Sequence, residues 1–355
     1  MSAAGGPPRL LQAIAGAPVG GAEAFFERLA MAFARRGVAQ RVAIRRDARR
    51  AGDLRAAGVD VVEFGFRGPL DLATRWALAR EIGRFAPDVV LGWMNRACAA
   101  LPPRALLPGA RHATVGRLGG YYALKYYRRC DWLVANTPDI RDWLVGQGWP
   151  AARVVHLPNF VDAEPAPPAD RAALGTPAEA TLALALGRLH PNKGFDVLLE
   201  ALARAPGIHL WIAGEGPEDA ALRARAAALG IEDRVRFLGW RRDVASLLAA
   251  SDMLACPSRH EPLGNVVIEA WAHRRPVVAA ASQGPRQLLR DGRDGLLVQV
   301  EDADALARAM SALAADPDRA AALAAAGRDA YEAGFTEAAV VQRYLEFLAA
   351  IAGQR

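Results

Sequence analysis

The chain has 355 residues, 52% of them hydrophobic and 23% charged, which suits two domains with their own cores and argues against a disordered or fibrous chain. Three separated cysteines (Cys98, Cys130, Cys256) argue against a disulfide framework or a thiolate zinc site and fit a reducing cytosol. The formal net charge of +6 is uneven: residues 1–165 hold 23 basic against 14 acidic side chains, and residues 166–355 hold 21 against 24.

No apolar run reaches the eighteen or so residues that span a bilayer. The stretch from Leu10 to Ala22 reads as a buried first strand with its loop rather than a signal peptide. In chain order, apolar runs predict strands near 9–15, 38–44, 59–64, 88–93, 111–115, 132–135 and 153–157, with helices near 22–36, 70–84, 121–129 and 138–146. The first helix sets Phe25, Phe26, Leu29 and Phe33 on one face. A proline- and alanine-rich stretch from Asp162 to Thr181 marks a domain boundary, placing one domain at 1–165 and a second at 166–334. Past it, strands near 181–187, 208–213, 234–238, 253–257, 276–280 and 295–299 alternate with helices near 194–205, 218–229, 242–250, 264–274, 284–290 and 302–315. A helical tail follows Asp316-Pro317-Asp318. Strands without polar alternation, separated by helices, are buried on both faces of a parallel sheet. The expected fold is α/β, two Rossmann-like doubly wound domains facing a central cleft, with ligands at the carboxyl ends of the strands.

Four segments carry candidate chemistry. Gly16-Ala17-Pro18-Val19-Gly20-Gly21-Ala22-Glu23 joins a strand to a helix, where glycines admit an anion to backbone N–H groups; it is neither G-x-G-x-x-G nor a Walker A loop. Arg188 and Lys193 lie five residues apart on one strand-end loop, a spacing that closes two cations on a diphosphate. Lysine is otherwise present only at position 125. Glu261 and Glu269 bracket Pro262-Leu263-Gly264-Asn265, so Glu261 is expected on a loop and a helix is expected to start near Leu263, its free N–H groups facing a phosphate. Carboxylates accept pairs of hydroxyl hydrogen bonds, which suits polyhydroxylated ligands. Trp240 follows Phe237-Leu238-Gly239 at another strand end, a wall for a nucleobase.

Two basic features remain. Eight arginines lie between Arg35 and Arg55 against two aspartates, and aromatics alternate with cations from Arg117 to Trp132. They suggest an anionic membrane surface for the first domain. No RNA-binding motif accompanies them, so nucleic acid is not expected.

Taken together, Gly20-Gly21-Ala22-Glu23, the Arg188–Lys193 pair with Gly194, the run from Gly214-Glu215-Gly216-Pro217 to Gly239, and above all the E-x7-E pattern from Glu261 to Glu269 resemble the retaining GT-B glycosyltransferases of family GT4. The resemblance covers most of the chain and is densest from about 180 to 300. It implies a glycosyltransferase that moves a sugar from a nucleotide-sugar, UDP- or GDP-linked, to a glycan or lipid-linked acceptor, in lipopolysaccharide, capsule or exopolysaccharide synthesis. By similarity, Arg188 and Lys193 would hold the donor diphosphate and Glu261 the sugar hydroxyls, as the catalytic set. Leu263, Gly264 and Asn265 would hold the phosphates, Glu269 the ribose, and Gly20 and Gly21 would approach the diphosphate. The resemblance further implies no cofactor, no metal, and a helix at 335–355 returning to the first domain. Many family members have a histidine where this chain reads Gly116-Arg117; His112 comes early, and His112 and Arg117 are the acceptor-side candidates. The expected location is cytoplasmic, peripheral on the inner face of the membrane. Two rivals share a two-domain plan. A dinucleotide oxidoreductase would need a glycine fingerprint with an acidic residue about 20 positions on, and a nucleotide-sugar epimerase is the other.

Overall fold

A computed structural model describes residues 7–17, 20–68, 70–161 and 163–353. The chain divides into two compact units, Met1–Asn159 with Glu337–Arg355, and Phe160–Thr336. In the first, β1 (Leu10–Ile14), α1 (Gly21–Arg35), β2 (Gln40–Arg45), α2 (Ala48–Ala56), β3 (Asp60–Phe64), α3 (Leu72–Phe85), β4 (Val89–Trp93), α4 (Met94–Ala100), β5 (Ala113–Leu118), β6 (Trp132–Ala135), α5 (Pro138–Gly146) and β7 (Val154–His156) follow in order. In the second come β8 (Thr181–Leu186), α6 (Phe195–Ala203), β9 (Ile208–Ala213), α7 (Asp219–Ala228), β10 (Val235–Gly239), α8 (Val244–Ala250), β11 (Met253–Cys256), α9 (Asn265–Ala272), β12 (Val277–Ala280), α10 (Gln283–Leu288), β13 (Leu296–Val298), α11 (Ala303–Ala315) and α12 (Pro317–Gly334). The last helix, α13 (Glu337–Ala352), belongs to unit 1.

Both sheets are parallel, in the orders β3-β2-β1-β4-β5-β6-β7 and β10-β9-β8-β11-β12-β13. Each order reverses once, between β1 and β4 and between β8 and β11. Loops leaving the two central strands there diverge to opposite faces and open a crevice at their carboxyl ends. The central strands are fully buried, as in Leu10–Ile14, Val89–Trp93 and Met253–Cys256. The expected face of α1 is buried through Phe25, Phe26, Leu29 and Phe33. Helix α13 closes that core: the Tyr344 ring lies 6.4 Å from Phe25 and 6.2 Å from Phe33, and Phe347 lies 5.8 Å from Trp132.

The structure departs from the sequence expectations at three places. Helices α2 and α4 were not anticipated. The helix expected over 121–129 is a single 3-10 turn, Leu124–Tyr126, followed by the fully buried Tyr127. The helical tail forms two helices separated at Phe335, the second of them in unit 1.

The basic run is largely neutralised. Of its eight arginines, Arg35, Arg41, Arg49, Arg50 and Arg55 are in ion pairs, and Arg36, Arg45 and Arg46 are exposed without one among the described residues. Among the described residues no helix is long and apolar enough to cross a membrane.

Candidate active site

The loops after β8 and β11 meet because those strands are hydrogen-bonded neighbours at the reversal point of the second sheet. The β8 loop carries Arg188 and ends in a 3-10 turn, Pro191–Lys193, while the β11 loop runs from Pro257 to Gly264. Gly194 joins the two: its φ of 65° is left-handed, and a Cβ there would overlap the Pro257 carbonyl oxygen. The His260 N–H donates to the Asn192 carbonyl at 3.1 Å. Beneath the β8 loop, Gly214 has φ 154° and lies so close to the Gly187 carbonyl that a side chain would collide with it.

Lys193 and Glu261 are thereby brought into a direct ion pair, with 23% and 12% of their side chains exposed. Burial alone pulls the Lys193 ammonium below its usual range. Glu261, with Glu269 behind it, holds the proton more strongly, and the net displacement is upward. Lys193 is therefore a cation at any physiological pH. The other Glu261 oxygen accepts the Gly264 N–H at 3.3 Å, so the carboxylate also caps the turn that launches α9. Burial, with Glu261 nearby, pushes the Cys256 thiol up to about 11, which keeps it a neutral packing group.

Arg259 was missed as a functional residue. Its guanidinium grips both Asp196 oxygens at 2.7 Å, pairs with Glu301, and donates to the Pro191 carbonyl at 2.8 Å. These partners raise its pKa further above the usual range, Asp196 first and then Glu301. Arg259 fixes the turn that presents Lys193. The sequence signal was its position two residues before Glu261, which alone does not separate a clamp from a surface charge.

The remaining candidates fall around this pair. Arg188 is exposed and makes no side-chain hydrogen bond or ion pair among the described residues. Leu263 is buried, and Asn265 begins α9, with Glu269 one turn further along. Trp240 is 54% exposed, and its backbone N–H donates to Glu215 at 3.3 Å.

In unit 1 the loop after β1 is held from within. The Ala17 N–H donates to Glu23 at 2.9 Å, and its carbonyl accepts from Arg50 at 2.9 Å. Gly20 caps α1 with extended backbone. Pro18 and Val19 lie outside the described residues. Arg50 is 1% exposed and pairs with Glu27 at 2.6 Å. It is a structural anchor inside a run that reads as surface charge.

The acceptor-side candidates are interior. His112 is buried in front of β5. Arg117 is fully buried, donates to Tyr344 at 3.0 Å and to Asn159, and stacks 4.7 and 4.6 Å above Phe25 and Trp93. Its donors are turned into the core of its own unit, because three aromatic rings and two polar partners enclose it. Beyond the ends of β1, β3 and β4 there is instead a largely apolar pocket of about 160 Å³, lined by Ala15, Phe66, Asp71, Asn95, Ala100 and Tyr126. Next to it in sequence, Leu70, Leu72 and Trp76 are exposed.

Residues 19–165 match the profile of Glycosyltransferase Family 4, and residues 180–316 match that of Glycosyl transferases group 1. The lipopolysaccharide core biosynthesis glycosyltransferase LpsE of Rhizobium meliloti is 38% identical over 93% of this chain and 96% of its own length. LpsD of the same organism is 36% identical over 92% and 94%. Among solved structures, Anabaena Alr3699/HepE in complex with UDP-glucose superposes with a TM-score of 0.84 at 23% identity, covering 97% of this chain and all of that one. The oxidoreductase reading finds no support among these relatives. With both halves matched and full-length transferases more than a third identical, the chain belongs to glycosyltransferase family 4 and is a two-domain glycosyltransferase enzyme.

Proposed function

We propose that this enzyme transfers a sugar, with retention of anomeric configuration, from a UDP- or GDP-sugar to a lipid-linked or glycan acceptor of lipopolysaccharide core synthesis. The observation that carries the reading is the Lys193–Glu261 pair at the reversal point of the second sheet. A permanent cation and a hydroxyl-accepting carboxylate stand side by side, as the junction between a diphosphate and a sugar demands. The core-biosynthesis names of LpsE and LpsD and the UDP-glucose bound to Alr3699/HepE support the acceptor and donor classes.

In this reading the bond between the sugar's anomeric carbon and the diphosphate oxygen breaks, and the charge left on the diphosphate is met by Lys193, Arg188 and the N–H groups at the start of α9. Glu261 turns from Lys193 to the sugar hydroxyls, Glu269 takes the ribose hydroxyls, and Trp240 borders the base. The acceptor oxygen bonds the anomeric carbon on the face the leaving group vacates, and its proton passes to the departing phosphate oxygen. Because fixed cations supply the positive charge, neither a metal nor a cofactor is required, and a chelator leaves turnover unchanged. The acceptor engages unit 1, whose apolar pocket and exposed Leu70, Leu72 and Trp76 suit an amphiphile at the inner face of an anionic membrane.

A thermal-shift screen against UDP-, GDP- and ADP-sugars, followed by donor hydrolysis and transfer assays, tests the reading. One nucleotide should raise the melting temperature with occupancy. Absence of stabilisation by any of them, together with no donor turnover, would refute it.

A further inference from the structure

A second polar cavity, of about 530 Å³, lies in unit 2 at the opposite end of the same strands. It is bounded by Thr181 where β8 begins, Met253 where β11 begins and Pro276 just before β12. It is therefore distinct from the loops that carry Lys193 and Glu261. Three arginines line it, Arg171, Arg274 and Arg275, against Glu179 and Asp252. Asp252 is already occupied. Both of its oxygens accept from Arg171 at 3.1 Å, and one takes the Leu182 N–H at 2.7 Å.

The other two guanidinium groups are left over. The Nε of Arg275 is buried without a hydrogen-bond partner, although its Nη2 donates to the Ala249 carbonyl at 3.2 Å. That Nε is closed to solvent and cannot meet a ligand directly; the donor Arg275 offers the cavity is its Nη1, which has no partner among the described residues. Burial lowers the pKa of this guanidinium; Asp252 acts against that and Arg171 adds to it. The Arg274 N–H donates to the Trp271 carbonyl at 3.1 Å, but its guanidinium makes no hydrogen bond or ion pair among the described residues. Its φ is 56°, a left-handed conformation at the end of α9 where glycine is the usual occupant. A strained arginine is kept at a place where glycine would relax the backbone, which points from the outlier toward a use for the side chain. Leu313, Ala320 and Ala324 provide an apolar wall opposite.

We propose that this cavity binds a small organic phosphate ester, its phosphate held by Arg274 and Arg275 and its carbon skeleton against the alanine-rich wall of α11 and α12. Guanidinium forks match phosphate oxygens in pairs, and partial burial strengthens those bonds. The proposal is independent of the donor reading, since none of these residues belongs to it.

The test compares inorganic phosphate, glucose 6-phosphate and chloride at equal ionic strength, by thermal shift and calorimetry on the full chain. Wild type, Arg274→Gly and Lys193→Ala are run in parallel. At a hundredfold excess over Kd, glucose 6-phosphate should raise the melting temperature by about 5 °C in wild type and in Lys193→Ala. Arg274→Gly should melt no lower than wild type, because glycine suits the left-handed position, yet should bind at least about tenfold more weakly. A shift no larger than that of chloride, one kept by Arg274→Gly, or one abolished by Lys193→Ala would overturn the site. Equal shifts from phosphate and its sugar ester would overturn the organic part of the ligand.

Discussion

The two sheets reverse order at equivalent places, yet they use charge there in opposite ways. In unit 2 the loops past β8 and β11 set Lys193 against Glu261 at a half-buried rim, with Arg259 bracing the turn from outside. In unit 1, Arg50 and Arg117 serve as internal fasteners. Arg50 holds the Ala17 carbonyl, and Arg117 is enclosed by Phe25, Trp93, Tyr344 and Asn159. Shared topology supplies a crevice in each unit, and the second carries the Lys193–Glu261 ion pair at its own. Counting arginines along the chain assigns the basic character to a partner, whereas five of eight in the densest run answer to carboxylates of their own unit.

The contrast can be broken by substitution. The largest effect is expected at Lys193→Ala, which should lower kcat per folded molecule on the order of 10²–10³-fold, as loss of one charge-stabilising donor does elsewhere, and should also lower the melting temperature because Glu261 loses its partner. Near-normal turnover would remove Lys193 from the chemistry. Arg117→Met should do the reverse. It takes the guanidinium away from the Tyr344 hydroxyl and from Asn159 in the core and should cost about 1–3 kcal/mol in urea unfolding, with turnover per folded molecule little changed. Lost turnover at unchanged stability would make Arg117 a functional cation after all.

A pH series sharpens the same distinction. Burial, then the Arg343 charge, holds His156 down to about 4. Its unfolded counterpart titrates near 6.5, so the unfolded chain takes the proton first, and stability present above pH 6.5 is lost as pH falls toward 4. The loss should reach about 1–2 kcal/mol at pH 5 and be abolished in His156→Gln. Lys193, whose pKa is raised, contributes the opposite slope only in the alkaline range above its ordinary value, and nothing near neutrality. The smallest effect is expected at the exposed arginines. Replacing Arg36, Arg45 and Arg46 together by Gln should move stability by no more than about 0.5 kcal/mol, while weakening flotation with anionic vesicles at low salt. Unchanged flotation would deny those residues a membrane role.

The strands were legible because a strand buried on both faces is written as an unbroken apolar run, and every expected strand has its counterpart. Helix α2 was illegible because its sequence, Ala48-Arg49-Arg50-Ala51-Gly52-Asp53-Leu54-Arg55-Ala56, shows only Ala51 and Leu54 as apolar buried positions around a glycine, too thin a stripe to register. Helix α4 follows β4 without an intervening residue, so the two merge into one stretch. The aromatic run at 121–129 imitated helical spacing, but Tyr121 and Tyr122 take part in the core cluster from an irregular loop. At the site, Lys193 and Glu261 could be read from motif spacing. The roles of Arg259 and Arg50 could not, since their partners lie 63 and 23 residues away.

The return of α13 to unit 1 has a consequence for biosynthesis. Unit 2 is one continuous segment and can condense while the ribosome is still at work. Unit 1 has waited since its first strand for Val340, Tyr344 and Leu348. Until they emerge, Arg117 and the rings of Phe25 and Phe33 lack their cover, so the half made first should be the half finished last. A chain truncated after residue 336 should present a protease-resistant second lobe attached to a digestible first one.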